Sequence, residues 1–306
     1  MLSTLLAGVD IGGTKIAAGL CDATGRVIAS RRVETAREGD DRVIAQIIAL
    51  LRDVIGAADA SGATAIGISV PAVIDQARGA VLWAPNIVGW QSEVLLAGPI
   101  AEAIGAPVSL HYDGHAWVMG EWWCGAARGA DTVALIAVGT GIGGGLIIDG
   151  RLHRGRTGVA GAVGWWLLDP AGTSSSRRGP DGWLESVASG PAIARAAGQP
   201  SAEQALRAAR DGSPLALTAV SHAAEVLGIA AANIASALDP DVIVFAGGVI
   251  AGGADLLLPR IREIVACEAQ PQVARGLRLT PAELGEDAAW LGAARLSQNP
   301  IGEETA

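Results

Sequence analysis

Apolar positions along the 306-residue chain follow two rhythms, and their order predicts strands alternating with helices. Residues 5–10 and 16–21 are nearly continuous apolar runs on either side of Gly12-Gly13, which reads as a glycine-turned hairpin. A turn at Asp22-Ala23-Thr24-Gly25 leads to a third strand at 26–35. From 42 to 57 the spacing changes, and Val43, Ile44, Ile47, Ile48, Leu51 and Ile55 line one side of an amphipathic helix. A strand at 63–73 (interrupted near its end by Pro71), a helix at 93–104 and a strand at 107–112 complete a mixed α/β set.

The rhythm then restarts. Residues 132–138 are apolar, 139–145 form a glycine-rich turn, 146–148 are apolar again, and Asp149-Gly150 is a hairpin signal. Ile142-Gly143-Gly144 repeats Ile11-Gly12-Gly13 in the same strand–turn–strand setting. A long helix at 218–238, a strand at 241–246, a helix at 255–267, a strand at 277–283 and a closing helix at 287–296 follow. Two copies of one plan predict an internal duplication with a cleft between the copies. The polar stretch 171–181 is the one long loop expected.

Composition narrows the function classes. Half of the residues are hydrophobic and 17% are charged, which suits large cores and not a disordered chain. A net charge of −9 leaves no electrostatic footprint for nucleic acid or an anionic membrane. Cys21, Cys124 and Cys267 are too scattered for a disulfide framework or paired metal ligands. No basic stretch precedes Asp10, and the longest uncharged apolar tract, 132–148, holds five glycines, so the expectation is a cytoplasmic protein. Lys15 is the single lysine, and eight of the nine tryptophans fall between Trp83 and Trp183.

The glycine turns carry the first candidate chemistry. In Asp10-Ile11-Gly12-Gly13-Thr14-Lys15, glycines let backbone N–H groups approach an anion, Thr14 adds a hydroxyl and Lys15 a charge. Asp10 at the strand end suits Mg²⁺ held through water. Taken alone, the segment reads equally as a plain hairpin with a surface charge. The second hairpin offers the same chemistry through Gly139, Thr140, Gly141 and Gly143, and two such hairpins would clamp a polyphosphate. Gly247-Gly248, where a strand hands over to a helix, reads either as a plain loop or as a surface for adenosine.

These segments, with Leu238-Asp239-Pro240-Asp241 before the third and Gly285-Glu286-Asp287-Ala288 near the end, stand in an order that resembles the ROK family of repressors and bacterial sugar kinases. The resemblance spans essentially the whole chain. It implies an actin-like, ribonuclease-H-like duplicated α/β fold, with residues 1–112 and the closing helix 287–300 as one domain and 113–286 as the other. It also implies ATP and Mg²⁺ in the cleft, a sugar at its base and a homodimer. Repressors of the family carry a helix-turn-helix before the first motif; here that motif begins at residue 8, so no DNA-reading module is expected.

Site residues follow from the same resemblance. Asp113 aligns with the aspartate that accepts the proton of the attacking sugar hydroxyl, whereas an isolated Asp-Gly would read as a turn. Asn86 and Glu185 match sugar ligands. Tyr112 replaces an asparagine, and Ala162 and Trp165 replace a glutamate and a histidine that contact sugar. The family's zinc ligands fall on Trp165, Ser176, Arg178 and Trp183, none of which supplies a thiolate or imidazole, so no zinc is expected. A hydrophobic plug of Trp165 and Trp183 is the expected replacement. Trp90, Trp165 and Tyr112 are candidates for a substrate wall, and His115 for a substrate contact. The expectation is an ATP-dependent kinase of a hexose-like acceptor, poorly suited to unmodified glucose. A non-catalytic sugar or nucleotide sensor on the same fold, or a kinase of a cyclitol or N-acylated sugar, is the alternative.

Overall fold

Strand β1 (Leu5–Ile11) folds back on β2 (Lys15–Asp22), and β2 pairs antiparallel with β3 (Val27–Glu34). The computed structural model describes residues 4–36, 40–57, 63–84, 87, 89–169 and 181–298. Strands β1 and β2 are buried along nearly their whole length, while β3 is an exposed edge. Parallel strands β4 (Ala65–Val70) and β8 (Val108–Tyr112) extend the sheet in the order β3-β2-β1-β4-β8. Helix α1 (Asp40–Gly56) buries Val43, Ile47 and Leu51 in this core, on the face the periodicity predicts. Between β4 and α2 (Ala97–Ile104) lies a small antiparallel sheet of β5 (Val73–Asp75), β6 (Ala80–Trp83) and β7 (Val94–Leu95), which no strong periodicity announces. Helix α3 (Asp113–Cys124) follows β8 directly.

The second sheet repeats the plan. β9 (Val133–Val138), β10 (Ile142–Ile148) and β11 (Arg151–Leu152) form an antiparallel set, and β12 (Val242–Ala246) and β13 (Arg278–Pro281) add parallel to β9. The order β11-β10-β9-β12-β13 is that of the first sheet, third-second-first-fourth-fifth. Asp149 and Gly150 both take positive φ, 52° and 71°, as the predicted two-residue turn requires. Helices α4 (Trp183–Ala188), α5 (Gly190–Ala196), α6 (Ala202–Arg210), α7 (Pro214–Leu238), α8 (Gly248–Glu268) and α9 (Pro271–Gly276) cover this sheet, and α10 (Ala288–Leu296) closes the chain. Helix α7 is long and apolar enough to cross a membrane, but its buried face packs against α8 in the second core.

Three expectations shift. Gly143, Gly144 and Gly145 belong to β10, not to the turn, because glycine leaves room for the backbone of Leu135 and Gly161 against Gly144. Helix α8 begins at Gly248 and breaks at Gly253 (φ −141°, ψ 16°), so the helix that the pattern shows from 255 is its second segment. The chain separates into one unit of Met1–Arg128, Arg154–Val159 and Glu286–Ala306 and another of Gly129–His153 and Ala160–Gly285. Helix α3 therefore lies with the first unit and not beyond a boundary at 112, since it packs on α10 and β8.

Candidate functional site

In the first unit, β1 carries Asp10 to its C-terminal end, and register with β4 sets Ser69 beside it. The Ser69 hydroxyl donates to Asp10 Oδ1 at 2.7 Å. Burial pushes the Asp10 carboxyl from an ordinary 3.8 up to about 7; the Ser69 bond and Arg32 oppose this, while Asp113 and Glu286 add like charge. Asp113 stands in the first turn of α3, where its Oδ1 accepts from the Gly114 N–H at 2.7 Å. Tyr112 precedes the helix, with its ring edge-on to His115 at 5.2 Å. Asp10 and Asp113 thus feel each other's field, and a divalent cation would relieve both. Among the described residues no three His, Cys, Asp or Glu side chains gather. A cation here would take one or two carboxylates and fill its shell with water and phosphate oxygens, which is the way Mg²⁺ is bound.

The first hairpin is held by its own bonds. Gly12 N–H donates to the Lys15 carbonyl at 2.8 Å, and the Thr35 hydroxyl donates to the Gly12 carbonyl at 2.7 Å. The Gly12 amide is therefore spent within the turn, and Gly13, Thr14 and Lys15 form the exposed tip. Lys15 Nζ lies 3.6 Å from Glu286, and Arg32 lies 3.5 Å from Glu286 and 2.5 Å from Asp287. Nothing in the pattern of the chain signals Arg32 or Ser69, because sheet register and the fold place them there.

In the second unit the turn Gly139-Thr140-Gly141 joins β9 to β10, with Thr140 exposed. Glu185, in the first turn of α4, accepts the Ile142 N–H at 2.6 Å through Oε2, and a Cβ on Gly141 would fall 2.5 Å from the same oxygen. Burial raises the Glu185 carboxyl, the Ile142 amide opposes this, and Asp181 adds to the rise. The matched sugar carboxylate and the second glycine turn are thus one assembly. Gly247 (φ 88°) lets the start of α8 approach the Val138 carbonyl, a packing reason for that glycine. A Cβ on Gly248 would meet open space, so packing does not account for it.

The ROK family model matches residues 6–299. The chain belongs to the ROK family. It is 32% identical to a glucokinase of Thermotoga maritima, with 97% of this chain and 98% of that protein aligned. Among solved structures, a ROK hexokinase from Thermus thermophilus is 33% identical, with 96% of this chain and 98% of that one covered and a TM-score of 0.83. A ROK family glucokinase from Streptomyces griseus, solved in complex with glucose and AMPPNP, is also 33% identical, with 96% and 99% covered and a TM-score of 0.80. The actin-like duplicated fold is that of these ROK structures.

Against that family background the tryptophans divide. Trp165 is 63% exposed, whereas Trp166 and Trp183 pack on the second core and the Leu184 N–H donates to the Trp166 carbonyl at 3.1 Å. Of the plug expected from Trp165 and Trp183, only Trp183 packs inward; Trp165, at the end of the short helical turn Val163–Trp165, is exposed, and its neighbour Trp166 packs on the core instead. Trp90 is wholly buried in the first core and cannot form a substrate wall. His115 is likewise buried. Asn86, Ser176 and Arg178 lie outside the described residues.

Proposed function

We propose that this ROK protein is an ATP-dependent sugar kinase that transfers the γ-phosphate to a hydroxyl of a hexose-like acceptor. The observation that carries the reading is Asp10 at the end of β1, raised to about 7 chiefly by burial, with Asp113 adding like charge. A carboxyl desolvated in this way, with a second carboxylate near it, suits a site that receives a metal-bound polyphosphate. Asp113 acts as the base: it takes the proton of the acceptor hydroxyl as that oxygen bonds to the γ-phosphorus, and the bond from phosphorus to the bridging oxygen breaks to release ADP. Asp10 would hold Mg²⁺ through water, and the ion would supply charge neutralisation at the phosphates. The exposed tip of Gly13, Thr14 and Lys15, with Gly139, Thr140 and Gly141, holds phosphates; Gly12 and Gly143 shape those hairpins, and Gly247-Gly248 flanks adenosine. Glu185 and Asn86 bind the sugar, and Tyr112 and Trp165 border it.

Tyr112, Ala162 and Trp165 remove an amide, a carboxylate and an imidazole from the shell that the resemblance assigns to glucose. A site that leaves hydroxyls unmet loses selectivity for them, so unmodified glucose is a poor acceptor. ADP release measured against sugars, amino sugars and cyclitols tests the reading. A sugar- and Mg²⁺-dependent signal is expected, with kcat lowered about 10²- to 10⁴-fold in Asp113→Asn. If no acceptor exceeds the Asp113→Asn background, the chain is a sensor and not a kinase.

A further inference from the structure

Sheet register sets a row of residues across the first unit. Arg32 of β3 faces Ala17 of β2, Ala17 faces Asp10 of β1, and Asp10 faces Ser69 of β4. Residues paired in this way project on one side of a sheet, so Arg32 and Asp10 share a face with only a methyl group between them. Lys15, two residues before Ala17, lies on that face as well, at the hairpin tip. The start of α10 meets the same row: Asp287 Oδ1 accepts from Arg32 Nη2 at 2.5 Å and from Trp290 Nε1 at 2.7 Å. Trp290 is wholly buried, its ring where a Cβ on Gly19 would stand, so Asp287 is fixed and Arg32 with it.

Glu286 is held more loosely. Its Oε1 lies 3.6 Å from Lys15 Nζ and its Oε2 3.5 Å from Arg32 Nε, which are ion pairs too long for good hydrogen bonds. The side chain is 63% exposed, and an exposed pair of this kind contributes little, so the carboxylate is displaced at small cost. Two cations from neighbouring strands thus converge on one anion, on the face that carries Asp10. A phosphate suits that arrangement better than a carboxylate, since it spreads more charge over three acceptor oxygens. We propose that Arg32 joins Lys15 as a phosphate-binding residue, and that Glu286 occupies this cationic pair until the terminal phosphates of the nucleotide displace it. The inference rests on the kinase reading above; it adds to the phosphate site a residue outside both glycine hairpins and gives that site an internal competitor.

Calorimetric binding of AMPPNP with Mg²⁺, and of AMP, tests this on the wild-type chain, Arg32→Gln, Arg32→Lys, Glu286→Gln and Asp287→Asn. Arg32→Gln should weaken AMPPNP about 10- to 100-fold, with Arg32→Lys recovering part of the loss and AMP changing less than about twofold. Glu286→Gln should tighten AMPPNP about two- to fivefold, because it empties the cationic pair. Asp287→Asn should weaken it, because Arg32 loses its anchor. These two variants each remove one negative charge, so tightening in both would mark a general charge effect and overturn the proposal. Unchanged AMPPNP binding in Arg32→Gln, an equal loss on AMP, or no tightening in Glu286→Gln would overturn it as well. If Arg32→Gln does not melt as a folded protein, the opposite signs at Glu286 and Asp287 decide. AMPPNP binding that ignores Arg32 sinks this inference alone; a wild-type chain that binds neither nucleotide sinks the kinase reading with it.

Discussion

Asp10 is the residue on which pH dependence turns. Its carboxyl is held at about 7 in the folded protein against 3.8 ordinarily, so between these values the folded chain carries a proton that the unfolded chain has released. The stability that Asp10 contributes is full below 3.8 and is lost as pH rises through about 7. The metal-free protein should therefore melt progressively lower from about pH 4.5 to 7.5 through this group, and Asp10→Asn should flatten that part of the curve. Equal slopes in the two proteins would contradict the assignment. Mg²⁺ with AMPPNP should restore the upper end, since a cation replaces the lost proton. The tryptophans give a second contrast at this scale. Trp183→Ala, which empties a packed position, should cost about 2–3 kcal/mol, whereas exposed Trp165→Ala should stay within about 0.5 kcal/mol and change acceptor KM instead.

At the scale of elements, α10 depends on missing side chains. A Cβ on Gly67 of β4 would collide with the Ala293 carbonyl, one on Gly8 of β1 with Trp290, and one on Gly292 with the Ala116 carbonyl of α3. Helix, strands and α3 approach backbone to backbone, which brings Asp10 at the end of β1 near Asp113 at the start of α3. Gly67→Ala should cost about 1–3 kcal/mol, read as a lower first transition in thermal melting, and should raise the KM for ATP as the carboxylates move apart. Unchanged melting would show that the close approach is not required. The hairpins, α1, α7 and the closing helix were legible as patterns because each has a strong period or a turn dipeptide. The β5–β7 sheet was not, because its strands are two to four residues long and carry no period. Nor was the reach of β10 back to Ile142, because glycine has no apolar side chain to mark a buried strand.

For the whole molecule, four ordered motifs sufficed to indicate the ROK family, and the match over residues 6–299 agrees. The departures are also global in effect. Tryptophan stands at two of the four matched zinc positions: Trp183 packs on the second core beside Glu185 in sequence, Trp165 is exposed, and Glu185 holds the second hairpin through Ile142. The purified protein should carry no stoichiometric zinc and should melt unchanged in a chelator; a bound zinc whose removal lowers melting would refute this. Removal of Mg²⁺ should abolish sugar-stimulated ADP release, as expected where one carboxylate holds the ion mainly through water and phosphate.

The chain by itself determined the duplicated strand–helix plan and the glycine turns, because periodicity and turn residues are local and act within a few positions, and its resemblance to the family singled out the candidate carboxylates. Only the tertiary structure decided which groups meet. Ser69 on Asp10, Glu185 on Ile142, and Arg32 on Asp287 are set by sheet register and by segments distant in sequence. Burial then changes what such groups are: a carboxyl near 7 is chiefly a consequence of lost water, which no spacing along the chain records.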